Sequence, residues 1–242
     1  MLLQSNDSLA TKIVTAIQLG DIDSVRRLLH SNRNLATARI HDGKGSRTLL
    51  HIATDWPGHF PNVAVTIRLL VASGAEVNSP TGGDVGETPL HWAASSDDVD
   101  AIDALLDCGA DIDAQGAVIG GGSPLSDAVG FGQWKAARRL VERGAFTDIH
   151  HSAALGLMDR LDARFNRNPP PTPDNINHAF WYACHGGQRT AAKYLLDHGA
   201  DLNWLPPWEQ LTPLDTARRE VAMELADWLQ SIGARSANEI KE

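Results

Sequence analysis

The chain of 242 residues carries ten histidines, two cysteines and a formal charge of −9. The first question is whether any of these groups are spaced for chemistry. A metal site needs three or four ligands converging on one point. No Cys-x-x-Cys pair and no His-Glu-x-x-His motif is present. His150 and His151 are adjacent, and neighbours on a helix point in different directions. His178 and His185 are two helical turns apart, about 10 Å, too far to share an ion. Gly120-Gly121-Gly122 has no lysine after it and no buried strand before it, so it does not make a phosphate cradle. The Gly-x-Ser-x-Gly signature of a hydrolase elbow is absent too. No metal and no cofactor is expected.

What remains is proton transfer. General acid–base work needs a carboxyl and a histidine in a cleft that excludes water. Asp55, Asp127 and His185 are the catalytic candidates, provided that the fold carries them into one groove beside Trp92 and Tyr182. The alternative is a set of ordinary polar groups on a solvated face. With no catalytic motif, the reading leans away from an enzyme.

The elements that would position these side chains are legible. Apolar residues make up 43% of the chain, enough for a buried core. The acidic balance repels phosphate backbones, so nucleic acid is not an expected partner. No apolar run reaches the length of a membrane span, and the first residues do not read as a secretory signal. Two cysteines cannot build a disulfide framework, so a reducing cytoplasm is the expected compartment.

The chain repeats itself. Thr88 is followed by Pro89, Leu90, His91, Ala93 and Ala94, with Gly109-Ala110 further on. Ser123 repeats this with Pro124, Leu125, Ala128 and Gly144-Ala145, and Thr212 with Pro213, Leu214, Ala217 and Gly233-Ala234. His178 leads to Ala183, Gly187 and Gly199-Ala200; Thr48 leads to Leu50, His51, Ala53 and a late Gly74-Ala75. Weaker copies start at Thr11 and Asp148. Within a unit, Thr88 suits a helix N-cap and Pro89 the first helical position. Val99, Ile102, Leu105 and Leu106 form the apolar stripe of a second helix, and Gly109 ends it. Such a unit buries its stripe only against a neighbour, so the copies stack.

The Thr-Pro-Leu-His-x-Ala-Ala stretch with its later Gly-Ala-Asp resembles the ankyrin repeat family. The likeness runs from about Leu9 to Arg235. It implies an all-α solenoid of stacked helix-turn-helix units with finger-like β-turn loops. The expected domain is single, 1–242, with repeats near 11, 48, 88, 123, 148, 178 and 212. The first and last copies read as caps, and 236–242 as a frayed tail. The resemblance also makes His51, His91 and His151 members of a structural hydrogen-bond network at the turns.

In such stacks the first helices and the turns line a concave face. Counting two, five and six positions from the motif leucine, that face collects Ile52, Asp55 and Trp56; Trp92, Ser95 and Ser96; Asp127, Gly130 and Phe131; Ser152, Leu155 and Gly156; Tyr182, His185 and Gly186; and Thr216. Trp56, Trp92, Phe131 and Tyr182 are expected to form an aromatic belt, with Asp127, His185 and Trp208 as further partner-binding residues. The turns add Lys44, Arg47, Asp84, Glu87, Asp174 and Glu209. Four irregular stretches stand out: 55–62, 117–122, 168–173 and 204–208, and 159–177 is expected to depart from a regular helix pair.

Three readings follow. The first is a scaffold that binds another protein through the concave face and fingers, with a partner of basic or mixed charge. The second is a small-molecule binder or enzyme using an aromatic and acidic pocket. The third is a homodimer joined through Trp204 and Trp208.

Overall fold

The computed structural model describes residues 1–43, 45–82 and 86–240. The chain divides into two compact units, Met1–Ala145 and Phe146–Glu242.

In the first unit four helix pairs follow one another. They are α1 (Ser8–Gln18) with α2 (Ile22–Ser31), α3 (Leu49–Thr54) with α4 (Val63–Ala72), α5 (Pro89–Ser95) with α6 (Val99–Asp107), and α7 (Pro124–Gly130) with α8 (Trp134–Glu142). First helices stack on first helices, α1 on α3 on α5 on α7, and second helices on second, α2 on α4 on α6 on α8. The first unit also holds a small sheet that the all-α expectation omitted. β1 (Leu2–Gln4) pairs parallel with β2 (Arg39–His41), which pairs antiparallel with β3 (Ser46–Thr48).

The local reasons are those of the repeated residues. The Thr48 hydroxyl accepts the His51 N–H and closes a capping box at α3, and Thr88 does the same for α5. His51 Nδ1 sits 2.8 Å from the Thr48 hydroxyl, and its Nε2–H donates to the Glu87 carbonyl at 3.0 Å. Burial lowers the His51 pKa to about 4, which keeps the ring neutral and able to accept at Nδ1. His91 repeats the arrangement with Thr88 and the Gly122 carbonyl. Each imidazole therefore ties one repeat to the turn of the next. The second helices are clamped by charge as well. Asp103 on α6 accepts from Arg139 on α8 at 2.8 Å and from Arg143, which caps the C-terminus of α8, at 2.6 Å.

The 55–62 insertion fastens three repeats together. Asn62 Nδ2 donates to the Gly20 carbonyl of the first, and the His59 N–H donates to Asp98 of the third at 2.7 Å. The 117–122 turn is equally built, with Gly116 N–H bonded to the carbonyls of Gly121 and Gly122.

The second unit pairs α9 (Ile149–Ala154) with α10 (Met158–Phe165), α11 (Pro173–His185) with α12 (Arg189–Asp197), and α13 (Pro213–Arg219) with α14 (Met223–Ser231), followed by α15 (Ala237–Ile240). Its core gathers Leu161, Phe180, Leu195, Leu214 and Leu229, all fully buried or nearly so.

Several boundaries differ from expectation. Helix α1 opens at Ser8, with Asp7 rather than Thr11 before it. The sixth repeat opens at Thr172, whose hydroxyl accepts the Asn175 N–H, with Pro173 at the first helical position. The proline stretch is thus a helix start, and the 159–177 segment carries a regular α10. Residues 236–240 do not fray: Ser236 and Glu239 bond each other, Ala237 N–H donates to Asp215 at 2.7 Å, and Ala237 is buried. Lys241 and Glu242 lie outside the described residues.

Gly186 marks the closest approach in the second unit. A Cβ there would fall on the carbonyl oxygen and carbonyl carbon of Ala154, so α9 and α11 touch backbone to backbone. Gly186→Ala should destabilise by about 1–3 kcal/mol, as overpacked sites do. Urea unfolding tests this; an unchanged midpoint would mean that α9 and α11 have room to separate.

Candidate functional site

The sequence candidates separate into two groups, one in each unit. In the first unit the site begins at Trp92 on α5. Its indole N–H donates to Glu87 at 3.1 Å. Its face carries the Arg47 guanidinium 5.8 Å from the ring centroid, and the His51 ring meets it edge-on at 5.0 Å. Arg47 is held in turn by Asp55 at 2.8 Å and Asp42 at 3.3 Å. Trp92 is therefore half-buried, held by Glu87 of its own repeat and by Arg47 and His51 of the preceding one. Asp55, a catalytic candidate, is an ion-pair partner.

Asp127 is not on an open face. It is fully buried, because the 117–122 turn folds back along α7 with Ile119 against Asp127 and Gly130. Ile119 N–H donates to Asp127 at 3.1 Å, and the Ile119 side chain occupies the space where Gly130 lacks a Cβ. Burial, with the Glu87 carboxyl close by, pushes the Asp127 pKa up to about 7. Burial raises Glu87 as well. The pair has perturbed acidity, with Asp127 buried and Glu87 partly exposed.

Trp56 is 79% exposed and Phe131 48% exposed. Both lie at the C-terminal end of a first helix, six residues after the motif leucine. The other groove offsets are mostly closed: Ile52, Ser96, Ser152, Leu155 and Thr216 are buried, because first helices of six or seven residues are flanked on both sides by neighbours. Lys44 and Asp84 lie outside the described residues.

In the second unit His185 is buried, not solvent-facing as expected. Its ring stacks on Trp181 at 5.4 Å, and Nδ1 lies 3.1 Å from Glu220. Tyr182 is half-buried beside His150, with ring centroids 5.7 Å apart. Trp208 is 50% exposed. Trp204 sits 5.6 Å from it, and His178 lies 4.7 Å from Trp204 and 4.8 Å from Trp208. Trp181 is 5.9 Å from Trp208 and carries the Arg219 guanidinium over its ring at 5.7 Å. Arg219 is paired with Glu209 and Glu220.

The sequence reading passed over Trp181, His178, His150 and Arg219 as site residues. A helical i, i+3, i+4 count from His178 reaches Trp181 and Tyr182 and was a usable signal; nothing local brings Trp204, Trp208 or Arg219 to them.

Among the described residues no helix is long and apolar enough to cross a membrane. A family model described as ankyrin repeats in three copies matches residues 13–116 and 66–153, and one described as an ankyrin repeat matches 175–204. The chain is 33% identical over 113 residues to palmitoyltransferase AKR1 of Kluyveromyces lactis, covering 46% of this chain and 14% of that protein. It is 33% identical over 115 residues to the protein of the same name from Lachancea kluyveri, covering 46% of this chain and 15% of that protein. The match spans about one-seventh of these relatives, and the activity in their name is theirs.

Proposed function

The chain belongs to the ankyrin-repeat family, and we propose that it is an interaction scaffold that binds another protein through aromatic side chains at the ends of its first helices and in its turns. Ankyrin repeats typically serve as protein-interaction modules. The observation that carries the reading here is the exposure of Trp56, Phe131 and Trp208. Aromatic side chains held in water on a rigid framework are the usual anchors of an interface. The stacked helices cannot move to cover them. A net charge of −9 favours a partner with basic or mixed charge. The two unpaired cysteines suit a reducing compartment, and we place the protein in the cytoplasm.

Native mass spectrometry of tagged protein drawn gently from its source cells tests this. Trp56→Ala with Phe131→Ala should weaken binding of a co-purified protein at least about tenfold, the scale of one interface anchor. The unfolding midpoint should hardly move, because both side chains are exposed. Undiminished partner binding by the double variant would remove these aromatics from the interface.

A further inference from the structure

We propose that the start of α11 and the 204–208 turn form a recognition site for an arginine or lysine side chain of a partner protein. This rests on the interaction reading above and gives it a location and a chemistry.

The cluster already holds one cation. Arg219 lies over the Trp181 ring, its charge met by Glu209 and Glu220. Guanidinium over indole with flanking carboxylates is the standard way in which a surface holds an arginine. A few ångströms away the same ingredients recur without an internal cation. Trp204 and Trp208 meet at 66°, so that they present two differently oriented ring faces, and Trp208 is half exposed. The Asp174 side chain is 72% exposed, and its ion-pair neighbour is His178 at 3.5 Å. Burial lowers the pKa of His178. The ring is thus neutral near neutral pH, where it leaves the Asp174 charge uncompensated.

The wider field has the same sign. Asp174 lies 3.5 Å from His178, Asp148 lies 3.4 Å from His150, and Glu209 and Glu220 pair with the Arg219 guanidinium over Trp181. Arg235, whose backbone N–H donates to the Asn203 side chain, adds one positive charge, with Glu239 within electrostatic reach of it. An exposed indole, joined through the His178 ring to a carboxylate whose charge that ring leaves unmet, fits a cationic side chain and repels an anionic one.

The test is calorimetric titration of the full chain with an end-capped hexa-arginine peptide at low salt. An end-capped hexa-citrulline peptide, which keeps the shape and loses the charge, is the control. Hexa-arginine should bind, and hexa-citrulline should bind at least about tenfold more weakly. Trp208→Ala and Asp174→Asn should each weaken hexa-arginine about fivefold or more. Asp174→Asn is conservative at a mostly exposed side chain, so it tests the site even if Trp208→Ala disturbs the packing on Trp181. Asp100→Asn on α6, exposed in the other unit, should leave affinity within about twofold, because diffuse attraction between exposed charges is weak. Equal binding of the two peptides overturns the proposal. So does a loss with Asp100→Asn as large as that with Asp174→Asn, which would reduce the effect to net charge. If the site variants bind hexa-arginine like the wild type while the partner is still lost on Trp56→Ala with Phe131→Ala, this site falls and the scaffold reading stands.

Discussion

Replacing Leu105 with alanine should lower the free energy of unfolding by about 2–5 kcal/mol. Leu105 is fully buried in α6, in the stripe that begins at Val99 and Ile102. Helix α6 is held by α4 on one side, α8 on the other and α5 beneath. The Asp103 pairs with Arg139 and Arg143 fix its distance from α8. The helices around the lost side chain therefore cannot close up, and the cavity persists. A site that cannot collapse loses contacts as well as transfer free energy. Denaturant unfolding followed by far-ultraviolet circular dichroism measures the loss. A change under about 0.5 kcal/mol, as at surface positions, would mean that Leu105 is not in the stacking seam.

Asp127→Asn should stabilise the protein at pH 8 and flatten its dependence on pH. The native carboxyl keeps its proton up to about pH 7, chiefly because it is buried and secondly because Glu87 is near. In the unfolded chain an aspartate loses its proton near pH 4. Between these values the native state holds more protons than the unfolded state, so stability falls as pH rises through that window and levels off above it. The shift corresponds to about 2–4 kcal/mol across the window. Asparagine keeps the oxygen that accepts the Ile119 N–H and carries a fixed N–H where the acid needs its proton. The difference in unfolding free energy between Asp127→Asn and wild type should be small at pH 4.5 and large at pH 8. Equal differences at the two pH values would place Asp127 in a solvated setting.

The same residue marks the boundary of what the sequence could tell. Repeat offsets and Thr-Pro starts were enough to place the openings of α3, α5, α7, α9 and α13, because each depends on contacts within a few residues. The His51 and His91 bonds were expected from the family resemblance alone; in the structure each ring meets a threonine one turn before it. The opening of the sixth repeat was misplaced because Thr172-Pro173 lies six residues before the position that matches the motif, and the strand β1 was missed because its partner is some thirty-seven residues away.

Which polar groups face water was not a local matter. Asp127 and His185 occupy repeat positions that read as surface. A folded-over turn buries the first, and Trp181 with residues of the following repeat buries the second. Trp56 and Phe131 kept the exposure that their offset implied. The sequence by itself determined the family and the openings of α3, α5, α7, α9 and α13, since short-range sterics and capping decide those. Only the tertiary structure decided burial, proton affinity and the meeting of His178, Trp181, Trp204, Trp208 and Arg219. Those depend on loops and helices from separate repeats excluding the same water, and no spacing along the chain encodes that.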